Sequence, residues 1–420
     1  MGVMKSLRGV LAGETPGDDP ETGTGARDME HVLKALTYGD VDDRLNAIRA
    51  VGELGESFLV PLVKALEDEY WIIRRGASDT LAKIGPAAIV PLIGILSSEN
   101  PDTQREARRA LVLIGEPAVE LLVRAMQDEN KYVRRSAIEI LGIMRVPQAV
   151  PGIIAALTDE DPLVRQQAAI TLRNYSQPDS VNSLIQLLKD ENGYVRMAAV
   201  ETLCVIGLPS IEPLIAALAE NDAELQQRAS LALTSIGPPS VEYLISGLEN
   251  ENTGIKRCCA YILGRICDTR AIPALVLLLG DPDRDVRREA VAALAGMEDD
   301  SVPALARAFH DGDQVVRNGA MEALWRIGPR ATRPVVDMLS DPKSDIRKRA
   351  ALLLGEIGDI SSVEPLARVL TDDSPGVRRE VFEAIEMIKI RSGYSRPVQE
   401  IKSGEDDYPQ NEDRVKKRSW

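Results

Sequence analysis

The chain has 420 residues; aromatics are only 4% of it, and small aliphatics carry most of its 44% hydrophobic content. So few large rings suit thin layers of closely packed helices better than one thick central core. The formal net charge of −15, from 65 acidic and 50 basic residues, argues against general nucleic-acid binding and for solubility.

At the N-terminus, MGVMKSLRGVLAG lacks a long apolar run, and no stretch of about 20 apolar residues follows. No membrane association is expected, and the predicted location is the cytoplasm. Residues 1–28 are rich in Gly, Pro and Asp without periodicity and are expected to be disordered. Residues 391–420 are expected to form a charged, flexible tail.

Between them, over residues 29–390, one phrase recurs. It reads DENKYVRRSAIEILGIM at 128–144, DPDRDVRREAVAALAGM at 281–297 and DPKSDIRKRAALLLGEIG at 341–358. Aligned on the basic residue after the Val, the anchors are Arg44, Arg74, Gln104, Arg134, Arg165, Arg196, Gln226, Lys256, Arg287, Arg317, Arg347 and Arg378. Successive anchors are 30 or 31 residues apart throughout. Within each unit an apolar residue precedes the anchor, a small one follows at +3, and aliphatics follow at +7 and +10, as in Ile346, Ala350, Leu354 and Ile357. That spacing is the buried stripe of an amphipathic helix. Gly at +11, as at Gly85, Gly207, Gly237, Gly328 and Gly358, is expected to end the helix in a left-handed cap. A shorter helix precedes each long one, with Pro near its start at positions such as Pro91, Pro151, Pro273 and Pro365.

Each unit is thus a helical hairpin that cannot bury its stripe alone, and stacking supplies the missing contacts. The expected fold is all-α, an α-α superhelix of about twelve hairpins. The phrase Asp-x-Asp-x-x-Val-Arg-x-x-Ala-Ala-x-x-Leu-Gly-x-Ile-Gly resembles the HEAT-like repeat of the phycobilisome-lyase type. The resemblance implies the architecture; such repeats serve many tasks, so it says little of function.

Six residues before many anchors stands an Asp: Asp68, Asp128, Asp159, Asp190, Asp281, Asp311, Asp341 and Asp372. Repetition in every unit favours a structural role, each Arg bonding an Asp or loop carbonyl of its own or the adjacent unit. Gln104 and Gln226 interrupt the ladder but keep hydrogen-bonding capacity.

Positions +1, +5 and +9 point away from the buried stripe. In proteins of HEAT-like type the second helix lines the concave surface, so these positions are expected to face a groove. At +1 stand Arg105, Arg135, Arg257 and Arg288, with Met197 among them; at +5 and +9 the middle units turn apolar, with Leu113, Ile143, Ile170, Val205, Leu231 and Tyr261. Two alternatives stay open: an apolar groove flanked by arginine, or side chains buried against one another by curvature. Trp325, at +8, is a further candidate anchor.

These candidates imply a non-catalytic scaffold for a protein or extended peptide, an acidic one among the options, with no cofactor and no metal. The alternative is an enzyme of bilin-lyase type, with Cys258 or Cys259 as nucleophile, or of deoxyhypusine-hydroxylase type. The latter uses His-Glu pairs as iron ligands; this chain has two histidines, His31 and His310, and no His-Glu dipeptide. Cys204, Cys258, Cys259 and Cys267 include no CxxC pair and are expected to be reduced thiols.

Overall fold

The structure, a computed structural model, describes residues 23–393 apart from 52–54, 176 and 312. The irregular segment before residue 23 and the charged tail beyond residue 393 therefore lie outside the described residues. Helix Gly23–Tyr38 opens the described chain, so residues 23–28, expected to be irregular, are helical. The helix formers that begin at Ala26 favour that extension.

Among the described residues the chain is all-helical. Its twelve long helices are α1 (Val41–Val51), α2 (Trp71–Ile84), α3 (Pro101–Ile114), α4 (Lys131–Ile143), α5 (Pro162–Leu172), α6 (Gly193–Ile206), α7 (Ala223–Ile236), α8 (Thr253–Ile266), α9 (Arg284–Gly296), α10 (Gln314–Ile327), α11 (Ser344–Ile357) and α12 (Pro375–Arg391). Each contains one anchor and follows another helix, so the chain reads as twelve hairpins. They fall into two units, Met1–Met297 with α1 to α9 and Glu298–Trp420 with α10 to α12. Within each unit, hairpins stack side by side.

The periodic apolar positions form the interior. In α11, Ile346, Ala350, Leu354 and Ile357 are all buried, and the same pattern holds for Val286, Ala290 and Leu294 in α9. Asx side chains start many of the long helices: Asn130 accepts from the Tyr132 N–H, Asn192 from Tyr194 and Val195, and Asp283 from Asp285 and Val286. Glycine ends several of them at positive φ, including Gly85, Gly115, Gly207, Gly237 and Gly328. From there a 3₁₀ turn commonly leads into the next short helix, as at Gly85–Ala88 and Gly328–Ala331. One segment, Trp71–Ile95, has the length and hydropathy of a bilayer-crossing helix. It is a hairpin bend: α2, the turn at Gly85, then helix Ile89–Ile95, with Ile73, Leu81 and Leu92 fully buried.

Gly358 departs from the expected left-handed cap. Its φ of −70° and ψ of 158° are extended backbone. Space demands glycine there instead: a Cβ would lie 2.5 Å from the Leu354 carbonyl oxygen and 2.8 Å from Ser362 Oγ. The end of α11 is capped by Arg391, whose guanidinium donates to the carbonyls of Gly355, Glu356 and Gly358.

The Arg–Asp ladder ties one hairpin to the next. Arg165 grips Asp190 of the following hairpin with Nε at 2.7 Å and an Nη at 3.0 Å, and its other Nη donates to the Asp159 and Glu160 carbonyls of its own loop. Arg134 repeats this with Asp159, and Arg347 with Asp372. The aspartate is a node with three functions. Asp190 accepts the preceding guanidinium, takes the Asn192 N–H at 2.8 Å, and offers its own carbonyl to Arg196. Hydrogen bonding to Asp190 and Asp159 holds the Arg165 and Arg134 guanidiniums further above the ordinary arginine range, against the opposing effect of burial. Where Gln replaces Arg it keeps the loop contacts without the charge: Gln104 donates to Ser98 O and accepts from Arg108, and Gln226 donates to Leu218 O and Glu220 O. The side chain of Asp311 lies outside the described residues.

Candidate functional site: the long-helix face

The apolar positions at +5 and +9 are open. In the first unit Leu113, Ile143, Val205, Leu231 and Tyr261 are each 48–55% exposed, and Met197, at +1 on α6, is 52% exposed. Ile170 is half-buried. Neighbouring helices therefore do not cover this strip, and the burial alternative fails for these residues. Trp325 stands on α10 of the second unit, 46% exposed.

The strip follows from how an α-helix is read by its neighbours. Residues at +1, +5 and +9 lie on one face, about 6 Å apart along the axis. Stacked helices turn each position into a row crossing the stack. The apolar residues start in the +9 row, at Leu113 and Ile143, and end in the +5 row, at Leu231 and Tyr261.

The +1 row is less uniform than the residue types imply. Arg105 is bound by Asp102 at 2.9 Å, one turn back, and also faces Glu106; Arg288 is bound by Asp285 at 3.1 Å. Arg75 reaches Glu106 at 3.9 Å. Among the described residues, neither Arg135 nor Arg257 has a carboxylate within ion-pair distance. Residue types one turn back explain the difference: Tyr132 and Gly254 stand where Asp102 and Asp285 neutralise the other two. Burial lowers the Arg108 guanidinium below its ordinary value, and the nearby charges of Arg135 and Arg105 push the same way against Glu139.

Between Arg135 and Arg257 the row reads Gln166, Met197 and Gln227, without charge. Sequence reasoning passed over both glutamines. Gly254 also borders a polar cavity of about 340 Å³ beside Arg257, lined by Asn221, Gln226, Asn252, Thr253 and the carboxylates of Asp283 and Asp285. The corresponding positions on α4, α5 and α6 hold Tyr132, Leu163 and Tyr194.

The chemically reactive side chains lie elsewhere. Cys258 and Cys259 are buried packing residues, and burial pushes the Cys259 thiol up to about 12. His310 Nε2 is 2.8 Å from an Asp341 carboxylate oxygen, while His31 is exposed on the leading helix. Among the described residues no three His, Cys, Asp or Glu side chains converge as a metal-ligand set.

Comparison with known proteins places the chain. A HEAT repeat-containing taxis protein of Halobacterium salinarum is 33% identical over 144 residues, which are 34% of this chain and 33% of that protein. The chain thus matches about a third of that relative's length. The karyopherin Kap121p, solved bound to the extreme C-terminus of the protein phosphatase Cdc14p, aligns over 86% of this chain and 50% of its own at 15% identity, with a TM-score of 0.43. Human deoxyhypusine hydroxylase aligns over 58% of this chain and 96% of its own, at 21% identity and a TM-score of 0.25. The sequence profile of HEAT repeats matches residues 89–153, 150–220, 211–295, 273–345 and 332–403, about three quarters of the chain. The chain belongs to the HEAT-repeat family.

Proposed function

We propose that the protein is a non-catalytic scaffold whose first unit holds a partner protein on the face formed by α3 to α9. The observation that carries this reading is the open strip of Leu113, Ile143, Met197, Val205, Leu231 and Tyr261. Exposed apolar side chains rimmed by arginine are the composition of a protein-binding patch. This reading takes the long-helix face as the concave side, as the resemblance to HEAT-like repeats implies. Arg105, Arg135, Arg257 and Arg288 would rim the contact and Ile170 would sit on its floor. Trp325 would offer a separate anchor on the second unit.

The bilin-lyase reading rests on the repeat phrase alone. Its candidate thiols, Cys258 and Cys259, are packed in the interior, and desolvation opposes the thiolate that a nucleophile requires.

The variant carrying Ile143→Asp, Val205→Asp and Leu231→Asp tests the scaffold reading. All three side chains are half exposed, so the fold is expected to persist, as circular dichroism would verify. Proteins recovered specifically by the parent chain in quantitative affinity purification are expected to fall at least tenfold, about 1.4 kcal/mol of binding. Undiminished recovery by the folded variant would refute the reading.

A further inference from the structure

The charge pattern of the +1 row restricts what the scaffold reading, on which this inference rests, can accommodate. Of the basic +1 residues in the first unit, Arg135 on α4 and Arg257 on α8 have no carboxylate within ion-pair distance among the described residues, whereas Arg105 and Arg288, next outward, are neutralised by Asp102 and Asp285. A cation left unpaired at a surface is free to pair with a ligand, and Arg in particular takes a carboxylate through two parallel hydrogen bonds. The two lie four layers apart in one stacked unit. At about 8–10 Å between packed helices, that separation is roughly 32–40 Å.

Within the +1 row the positions between them are uncharged; Glu201, at +5 on α6, is an exposed carboxylate but is paired with Arg173 at 2.8 Å. Gln166 and Gln227 flank Met197 in the same row, with Ile170, Val205 and Leu231 beside it. Glutamine amides both donate and accept, which matches main-chain N–H and C=O groups that lack partners. An extended segment presents such groups, whereas a helix satisfies its own. Extended chain advances about 3.3–3.6 Å per residue, so 32–40 Å corresponds to about ten to twelve residues.

We propose that this face takes an extended peptide segment with two acidic side chains about a dozen residues apart, one on Arg135 and the other on Arg257, and apolar residues between them over Met197. Gly254 helps at the second end. By leaving the space that tyrosine or leucine fills on α4 to α6, it keeps Arg257 accessible from the adjoining cavity.

The test uses fluorescein-labelled synthetic peptides of about 26 residues and one composition, with two Glu placed about 6, about 12 or about 24 residues apart and leucines among the rest. Fluorescence anisotropy against the full chain is expected to show tightest binding at the intermediate spacing, about tenfold tighter than at the short one. Arg135→Glu and Arg257→Glu break no ion pair of the fold. Each is expected to weaken the intermediate peptide about tenfold and to abolish the preference for spacing. An optimum near 24 residues would mean a helical occupant and would overturn the proposal. So would affinity independent of spacing, indifference to both charge reversals, or no binding of any peptide. These failures differ from failure of the scaffold reading, which is decided by whether partner recovery survives the Asp substitutions in the strip.

Discussion

Asp190→Ala is expected to destabilise the first unit by about 3–5 kcal/mol, since removing one member of a buried pair strands the other charge. Arg165 and Asp190 are each only about a tenth exposed, and the pair is bidentate. The substitution leaves the Arg165 guanidinium with two loop carbonyls and the exposed Glu191 carboxylate, and frees the Asn192 N–H at the entrance to α6. Stability in a stacked array is a sum over neighbouring layers, so the loss falls on the α5–α6 junction. Urea unfolding should broaden or split into two transitions. Glu191→Ala is the matched control. Glu191 lies 3.5 Å from the same arginine but is almost fully exposed, so its removal should cost under about 1 kcal/mol. Equal effects of the two substitutions would show that the ladder does not hold the hairpins together.

Gly264→Ala is expected to destabilise by about 1–3 kcal/mol, the usual cost of overpacking, although Gly→Ala inside a helix ordinarily stabilises by up to about 1 kcal/mol. The reversal of sign comes from space. A Cβ at Gly264 of α8 would lie 2.7 Å from the Ala293 Cα and 2.8 Å from its Cβ on α9, and backbone cannot yield as a side chain can. Gly76 of α2 supplies the contrast. Its nearest neighbour would be Ile48 Cγ2 at 3.4 Å, an ordinary contact, so Gly76→Ala should stabilise. Thermal unfolding of both variants measures the difference directly. A stabilising Gly264→Ala would mean that α8 and α9 are not in close contact.

The stack was legible in the sequence because its two requirements repeat every 30 or 31 residues. A buried stripe needs aliphatics at fixed offsets, and a ladder needs Arg and Asp at fixed offsets, so Ile346, Leu354, Arg347 and Asp372 could each be placed by counting. Gly358 was misread because the repeat shows that glycine is needed without showing why. A left-handed turn and a close backbone approach demand the same residue. The apolar strip was named residue by residue, yet its exposure depends on how neighbouring helices cover it, and periodicity carries no information on that. The difference between Arg135 and Arg105 was within reach. Asp102 precedes Arg105 by one helical turn and Tyr132 precedes Arg135, a pairing rule that can be applied before any coordinates exist. Treating the basic +1 positions as one class concealed it.

Hydroxyl-radical footprinting of Met197, Leu231 and Tyr261 offers the most direct check on an open face that serves as a docking surface. The account predicts heavy oxidation of all three in the free protein, as for half-exposed side chains, and strong protection once a partner recovered by affinity purification is bound. Protection of these residues already in the free chain, or oxidation unchanged by a bound partner, would contradict it.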